Sequence, residues 1–362
     1  MGSLHNPRDQ LLAKIKSCSI LVPELQPLFT SWPAAINPEW QNIVPDMNNK
    51  IASLFSDPVK VMKLQSCDFA LFASAWWPRA PREELRILAY LSFWLFVWDD
   101  EIDEATGTLS DDFEASERYR QNTVAYITET LGLPDDLSLY PPKGAATPLN
   151  EIIGSFEVIG KALRQVYNIE QRKRFLREME FFIRKSQLEQ KSRLDGCILS
   201  LDEYWDIRMG TSAVGVIMAV NEFSARVNIS DIIMDHPDMR IIWDESNINV
   251  SIVNDLLSLK KEISKGAIDS LIPILCANTE TPQSAIGHAL KSLKESIARF
   301  DTTAWKLLNA IDAVSPDKLS TYEFIQDCRF NCSGNLYWSL RTERYGMGDV
   351  PKDPNGNFLL KF

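Results

Sequence analysis

Glycine and histidine are scarce in this sequence, which has 15 glycines and 3 histidines among its 362 residues. No G-x-G-x-x-G or G-x-x-x-x-G-K-[ST] run occurs where a strand would pass into a helix, so nucleotide-binding α/β folds lose support. Basic residues are outnumbered, and the formal net charge of −11 argues against nucleic acid as a partner. An acidic protein that acts on an anionic substrate needs a metal ion.

Cysteine and targeting signals are also sparse. The six cysteines are scattered, and no histidine lies near Cys328 and Cys332 to complete a zinc site, so we expect buried small hydrophobic side chains and no disulfides. The first residues lack the charged-then-apolar layout of a signal peptide, and Asn6 stands where a myristoylation signal has Ser or Thr. The apolar run 87–98 is shorter than the ~20 residues that cross a bilayer. We therefore predict a cytoplasmic protein without membrane insertion.

Hydrophobic periodicity predicts helices from about residue 68 onward. In one amphipathic segment the apolar Phe175, Met179, Phe182 and Ile183 recur every three or four residues among charges. No alternating strand pattern competes. The predicted helical segments are 82–104, 112–131, 149–167, 171–194, 201–223, 244–263, 282–299 and 320–345.

Proline crowds the first sixty residues, which suits an extended arm with short helices. No repeat or shift in composition marks a second domain. We predict one all-α domain, with an N-terminal arm at 1–60, a main helical body at 61–345 and a C-terminal tail at 346–362.

The apolar run 87–98 ends abruptly in a cluster of acidic residues. Carboxylates at the C-terminal end of a buried helix oppose its dipole and repel one another, so they lose several kcal/mol on desolvation unless cations compensate. The i, i+4 spacing places Asp99 and Asp103 on one helix face, where oxygen ligands can bridge Mg²⁺ ions. The acidic pairs at 111–112 and 135–136 lie in polar loops and are interpreted as solvated.

A second set of oxygen donors follows in the segment 254–262. Asn254, Ser258 and Glu262 fall at i, i+4 and i+8, which predicts a single helical stripe of amide, hydroxyl and carboxylate. Such a stripe suits Mg²⁺, which completes its octahedron with water and substrate phosphate. Residues at this spacing usually face solvent, and the stripe becomes specific only when it is paired with the first cluster.

In these two motifs, the sequence resembles the class I terpene synthase family. The family has an aspartate-rich D-D-x-x-D/E motif, matched by DDEID at 99–103, and an N-D-x-x-S-x-x-K/R-E motif, matched by NDLLSLKKE at 254–262. Its last core helix ends in an Arg-Tyr pair, matched by Arg344 and Tyr345, with an aromatic residue six positions before it, matched by Trp338. The arm around 31–38 resembles fungal sesquiterpene cyclases. The resemblance implies a single helical bundle with a central active-site cavity.

The family also has a diphosphate-sensing arginine upstream of the second motif, on a helix that breaks near it, and Arg208 occupies that place. Microbial members often have glycine four residues after this arginine. Here Ser212 stands at that position and Gly210 lies two residues earlier, so the predicted break spans Gly210, Thr211 and Ser212.

The resemblance assigns the following roles. Three Mg²⁺ ions are expected on Asp99, Asp100, Asp103, Asn254, Ser258 and Glu262. The diphosphate is expected to contact Arg208, Lys261, Arg344 and Tyr345. Phe96, which lies three residues before Asp99 on its face, is expected to line the cavity with Leu95, Ser92 and Trp338. Trp76, Trp77 and Trp94 are interpreted as core.

The implied reaction is Mg²⁺-dependent ionisation and cyclisation of a prenyl diphosphate, with farnesyl diphosphate and a sesquiterpene product favoured. Monoterpene and diterpene cyclisation on the same fold stay open, as does the choice between monomer and homodimer. A chain-elongating prenyltransferase has two aspartate-rich motifs, and here the second is Asn/Ser/Glu. A non-catalytic helical binding protein is the remaining alternative, and loss of a ligand residue would favour it.

Overall fold

A computed structural model of the chain describes residues 6–103, 107–139, 146–278 and 281–362, and in these ranges the fold is built from α-helices. The first nine are α1 (Pro7–Lys16), α2 (Trp40–Leu54), α3 (Pro58–Ser66), α4 (Phe69–Trp76), α5 (Arg82–Asp103), α6 (Phe113–Thr130), α7 (Glu151–Gly154), α8 (Glu157–Val166) and α9 (Ile169–Leu194). They are followed by α10 (Leu201–Thr211), α11 (Val214–Met218), α12 (Asn221–Ala225), α13 (Asp231–Met234), α14 (Pro237–Leu257), α15 (Leu259–Lys265), α16 (Leu271–Ala277), α17 (Pro282–Ala310) and α18 (Pro316–Ser339). The all-α prediction is confirmed.

Helix α5 lies at the centre of the bundle. Its residues 87–95 are buried without interruption, as the uniformly apolar run predicts. Trp94 donates its indole N–H to the carbonyl of Ile152, and Trp98 donates to Thr123 Oγ1. These bonds satisfy the polar atoms that burial of an indole would otherwise leave unpaired. The helix is therefore fixed on several sides before it reaches its acidic end.

The other helices pack against one another in a series of contacts that leads to α5. Helix α14 packs against α17 and α18, α18 packs against α4, and α4 packs against α5. Helix α9 begins with a capping box, in which Asn168 and Gln171 satisfy each other's backbone N–H groups, and it packs against α10. This arrangement directs α5, α9, α10, α14 and α18 toward one shared interior.

Several predicted helices have different bounds. The segment 149–167 is two helices, since the chain tightens at Ser155, and the segment 201–223 is three. Helix α14 begins at Pro237, earlier than predicted, because His236 caps its N-terminus and proline suits the first helical position. Helix α17 continues to Ala310, since no breaker interrupts its amphipathic pattern. Glu104, the predicted end of the acidic helix, lies outside the described residues.

Two predictions of continuous helix are wrong at the site itself. The stripe 254–262 is not one helix: α14 ends at Leu257, and Ser258 is the junction to α15. Helix α18 ends at Ser339, so Arg344 and Tyr345 lie in the turns that follow it. The backbone tightens where Arg341 N bonds Trp338 O, and Thr342 Oγ1 donates to the carbonyl of Cys67, which bends the chain back over the bundle.

The N-terminal arm and the C-terminal tail pair with each other. Strand β1 (Ile20–Val22) forms an antiparallel ribbon with β2 (Phe358–Leu360), with Leu21 opposite Leu359. These three-residue strands do not follow from the sequence patterns, which predict no strand. The predicted boundary between residues 60 and 61 falls inside α3.

The cysteines are free, and four of them are buried: Cys67, Cys276, Cys328 and Cys332. Cys18 is half-buried and Cys197 is exposed, so the expectation of burial is wrong for these two.

Across the ranges that the structure describes, none of the helices has the length and apolar character that a membrane span requires.

Candidate active site

The predicted site residues meet around one cavity of about 640 Å³. Those that line it are Ser92, Leu95, Phe96, Asp99, Asp100, Asp103, Arg208, Thr211, Ser212, Asn254, Ser258, Lys261, Glu262, Trp338, Arg344 and Tyr345. Gly210 is not among the lining residues. The volume is within the range of small-molecule sites in proteins.

The last turns of α5 bring the aspartates of the first motif to this cavity. One carboxylate oxygen of Asp99 and one of Asp103 are buried and have no hydrogen-bond partner among the described residues. Burial, followed by repulsion from Asp103 and Asp100, raises the pKa of Asp99 well above its ordinary value. Burial also raises the pKa of Asp103 to about 6, although Arg193 and Arg120 favour its ionised form. These two carboxylates lack a compensating positive charge at bonding distance.

The second motif is already hydrogen-bonded. Asn254 Oδ1 accepts from Arg208 Nη2 at 2.8 Å, and Asn254 Nδ2 donates to Tyr345 Oη at 2.6 Å. Ser258 Oγ donates to Glu262 Oε1 at 2.5 Å, and Ser270 Oγ donates to Glu262 Oε2 at 2.6 Å. The junction at Ser258 keeps its hydroxyl beside Glu262, so the break in the helix does not scatter the donors.

Arg208 holds α10 against the second motif. Besides Asn254, it binds Asp255 Oδ1 at 2.8 Å, and Asp255 Oδ2 accepts from Tyr204 Oη and from the backbone N–H of Leu271. Burial disfavours the charged guanidinium, but the combined attraction of nearby acidic groups, with Asp255 the strongest of them, outweighs burial and raises the pKa of Arg208. A permanent positive charge therefore faces the cavity.

The helix break lies slightly later than the predicted residues. Helix α10 ends at Thr211, Ser212 is its C-terminal cap, and Ala213 has φ 56°, a left-handed conformation. Gly210 is inside the helix, where a Cβ would collide with the side chain of Lys185 on α9. Its role here is close helix packing, and the break itself lies at Ser212 and Ala213.

Apolar and aromatic side chains form the remaining walls. Trp338 lies 5.5 Å from Phe96 and 5.0 Å from Phe72, measured between ring centroids. Phe72 stacks on Trp76 at 4.6 Å, and both rings line the cavity. Trp76 is buried in the core, as interpreted, and it also lines the cavity. Trp77 is buried core, where its indole N–H donates to Asn221, and Trp94 is core on α5.

Sequence reasoning missed several charged residues that line the same cavity. Glu189 of α9 faces the aspartate-rich end of α5, and burial together with Asp103 and Asp99 raises its pKa well above the ordinary value. Arg193, one turn later, donates to the carbonyls of Ile102 and Ser110. Both belong to an amphipathic helix rich in charges, where the sequence gives no signal that separates them from exposed neighbours.

The arm also reaches the cavity. Arg8 of α1 forms two hydrogen bonds with Asp269, at 2.7 and 2.6 Å, and both residues line the cavity. Asp269 precedes Ser270, whose hydroxyl bonds Glu262. No local pattern marks these residues, since they are brought together across most of the chain.

The donor set fits Mg²⁺. It consists of carboxylate, amide and hydroxyl oxygens, which are hard ligands, and the unpartnered oxygens of Asp99 and Asp103 need a cation. Within the described ranges, no three Asp, Glu, His or Cys side chains converge closely enough to hold a metal alone. Mg²⁺ commonly uses one or two carboxylates plus substrate phosphates, so this arrangement is compatible with it.

Comparison with known proteins places this architecture in a family. The model of the family described as "Terpene synthase family 2, C-terminal metal binding" matches residues 90–299. The sesquiterpene cyclase hepA of Aspergillus oryzae is 38% identical over 357 residues, covering 98% of this chain and 96% of that protein. The silphinene synthase peniA of Penicillium patulum is 27% identical over 337 residues, covering 92% of this chain and 87% of its own.

Solved structures show the same fold at lower identity. An α-eudesmol synthase superposes with a TM-score of 0.73 at 17% identity, covering 85% of this chain and 97% of that one. Germacradien-4-ol synthase from Streptomyces citricolor gives a TM-score of 0.70 at 16% identity, covering 88% and 97%.

Proposed function

The chain belongs to the terpene synthase family, whose members are lyases acting on prenyl diphosphates, and we propose that it cyclises farnesyl diphosphate to a sesquiterpene in the presence of Mg²⁺. The proposal extends to three Mg²⁺ ions, to residues 61–345 as the catalytic body with the arm and tail as parts of the same domain, and to a cytoplasmic monomer or homodimer. Relatives named as fungal sesquiterpene cyclases and synthases support the C15 substrate.

The observation that carries the proposal is the convergence of the two motifs. Asp99 and Asp103 on α5 and Asn254, Ser258 and Glu262 at the α14–α15 junction line one cavity. The anionic end of a prenyl diphosphate and its cations fit between these oxygen donors, and its hydrocarbon chain fits the aromatic wall. A helical protein without catalytic function has no need for buried, unpartnered carboxylates at such a place.

Positively charged side chains would hold the diphosphate. Arg208, Lys261 and the neutral hydroxyl of Tyr345 lie on the side of the second motif, and Arg344 pairs with Asp100 of α5. Fixed donors that face the departing oxygens stabilise the charge that develops as the carbon–oxygen bond breaks. Mg²⁺, when bound, would neutralise the diphosphate and make it a better leaving group. Arg208 also contacts Asn254, so the sensing arginine and the second motif share one hydrogen-bond network.

The aromatic wall would protect the allylic cation. Phe72, Trp76, Phe96 and Trp338 present ring faces and edges to the cavity, and each cation–π contact is worth ~0.5–2 kcal/mol. Ser92 bonds its own helix through the carbonyl of Leu88, so its hydroxyl is already engaged. The apolar lining excludes water from the cation and shapes the folded chain before ring closure.

Incubation of the purified protein with Mg²⁺ and geranyl, farnesyl or geranylgeranyl diphosphate tests the proposal. Gas chromatography with mass spectrometry should detect a cyclic C15 product with farnesyl diphosphate and none after chelation of the metal. Asp99→Ala and Asn254→Ala should abolish turnover while the helical circular dichroism is unchanged. A longer linear diphosphate on addition of isopentenyl diphosphate would indicate chain elongation, and full activity in either variant would refute the site.

A further inference from the structure

The break between α10 and α11 leaves one helical carbonyl without its usual partner. In a continuous helix the N–H of residue 213 would bond the carbonyl of Met209. Here Ala213 N bonds Gly210 O at 3.0 Å, and Val214 N bonds the side-chain oxygen of Ser212 at 3.3 Å. The carbonyl of Met209 therefore needs a donor from elsewhere, since a buried unpaired carbonyl is costly.

Asn247 of α14 supplies this donor. Its Nδ2 donates to Met209 O at 2.8 Å, while its Oδ1 accepts from Ser212 Oγ at 2.7 Å and from Ser251 Oγ at 3.2 Å. The orientation of the amide is fixed, because Met209 O can only accept. Asn247 is 4% exposed and is not among the residues lining the cavity. We call Asn247 with its partners Met209 O and Ser212 Oγ the Asn247 bridge.

The bridge lies on the same face of α14 as the second motif. Asn247, Ser251 and Asn254 stand at i, i+4 and i+7, so they follow one stripe of the helix. Arg208, which precedes Met209, bonds Asn254 and Asp255. Helix α10 is thus attached to α14 at two levels roughly 10 Å apart along the axis.

The opposite side of α10 is fixed as well. Gly210 packs against the side chain of Lys185 on α9, and Lys185 Nζ bonds Asp206 Oδ2 at 2.7 Å. With α9 behind and α14 beside it, the end of α10 has little freedom. Contacts outside the cavity therefore determine the position of three residues that line it, Thr211, Ser212 and Ala213.

We propose that Asn247 is a positioning residue that fixes the cavity wall at the helix break and thereby determines how the cyclising chain folds. It acts through Ser212 and the Met209 carbonyl and does not touch the substrate. This inference rests on the proposed function, since it concerns the products of that reaction. A buried amide that only stabilises the fold would affect unfolding and leave the products unchanged.

The test compares variants of the full chain with farnesyl diphosphate and Mg²⁺, read by product ratio, kcat, KM and thermal unfolding. Asn247→Leu keeps the size and removes both hydrogen bonds to α10, and it should lower kcat about tenfold with a smaller change in KM. The ratio of products should shift in the same variant. Asn247→Asp keeps the acceptor for Ser212 and loses the donor to Met209. Its product ratio therefore separates the effect of the bond to Met209 from the effect of the bond to Ser212.

Two further variants keep the test decisive. Ser251→Ala is the matched control, because Ser251 bonds Asn247 without reaching α10, and its product ratio should equal that of the wild type. Ser212→Ala removes the bond to Asn247 together with the bond from Val214 N to Ser212 Oγ, and it serves if Asn247→Leu fails to fold. Combined with Asn247→Leu it should add less than its separate effect, because the bond between Ser212 and Asn247 is already lost.

The outcomes separate the two proposals. An unchanged product ratio in folded Asn247→Leu, or in Ser212→Ala if the former does not fold, overturns the role of Asn247 while leaving the cyclase assignment intact. Absence of any cyclic product from the wild-type protein refutes the proposed function instead, and the inference about its products falls with it.

Discussion

Asp100 and Arg344 form a two-point ion pair across the cavity, with Arg344 Nη2 2.7 Å from Asp100 Oδ1 and Nη1 3.1 Å from Oδ2. The sequence motifs assign Asp100 to the metal and Arg344 to the diphosphate. In this structure the two side chains bind each other instead. Burial opposes the charge on Arg344, but Asp100 outweighs it and raises the pKa of the guanidinium. The pair neutralises one of the acidic groups at the end of α5.

Removing this cation should separate metal binding from turnover. In Arg344→Gln the carboxylate of Asp100 loses its partner beside Asp99, so the affinity for Mn²⁺ or Mg²⁺ without substrate should rise by about three- to tenfold. Turnover should fall by about a hundredfold or more, because the proposed donor to the diphosphate is lost. Calorimetry and steady-state kinetics measure the two effects. Arg341→Gln, an exposed arginine three residues earlier, should change neither, and weaker cation binding in Arg344→Gln would contradict this account.

Glu189 is expected to contribute to the metal site although it belongs to neither motif. Its carboxylate faces Asp99 and Asp103, and burial, followed by the charges of these two residues, raises its pKa. Glu189→Gln should therefore raise the Mg²⁺ concentration at half-maximal activity by roughly tenfold, within the usual effect of groups surrounding a metal. The control is Glu170→Gln on the same helix, where the side chain is solvent-exposed and pairs with Lys173. Equal Mg²⁺ dependence of both variants would remove Glu189 from the site.

The ion pair between Arg8 and Asp269 is expected to support catalysis from the arm. Both side chains are mostly buried, 15% and 19% exposed, so removal of either leaves an unpaired charge. Arg8→Gln and Asp269→Asn should each reduce kcat/KM several-fold. The double variant should be no worse than the singles, which corresponds to a coupling energy of about 1–2 kcal/mol. Asp9→Asn, an exposed neighbour in α1, is the control, and simple additivity of the two effects would show that the pair does not act as a unit.

Asp327 should make stability depend on pH away from the cavity. Burial raises its pKa to about 6, against the attraction of Arg79, which bonds one of its oxygens at 2.6 Å. The folded state therefore binds this proton more tightly than the unfolded chain does. Its contribution is fully present below pH 4 and is lost as the pH rises through about 6.

The corresponding loss of unfolding free energy is up to about 3 kcal/mol. Asp327→Asn cannot titrate, so its stability relative to the wild type should increase between pH 4 and 7, as measured by urea unfolding at several pH values. Glu343→Gln, a substitution of an exposed acid, is the control. Parallel pH profiles for the wild type and Asp327→Asn would contradict the shift.

The fold class and the two motifs could be predicted from the sequence because each has a local signal. An apolar run that ends in aspartates predicts both the burial of α5 and the placement of Asp99 at an interior edge. The spacing of Asn254, Ser258 and Glu262 identifies donors on one side of the chain even though a junction at Ser258 interrupts the helix. Spacing is nearly the same in a helix and across this tightened turn, so the pattern survives an incorrect secondary structure.

The remaining features depend on tertiary contacts that leave no periodic trace. Trp76 and Trp77 are adjacent and equally apolar, and only the orientation of α4 decides that Trp76 also lines the cavity. The sequence predicts Arg344 at a helix end, but the bond from Thr342 to Cys67 turns the chain before it. Glu189 and Arg8 are ordinary surface residues by sequence, and their position follows from packing between distant segments.

The ribbon of β1 and β2 holds residues 20–22 beside residues 358–360. Since β1 follows the helix that carries the cavity-lining Arg8, deletion of the residues from Phe358 onward would remove the partner of β1 and should loosen the attachment of this helix. Truncation of the tail should therefore lower activity as well as stability, although no residue from 346 to 362 lines the cavity.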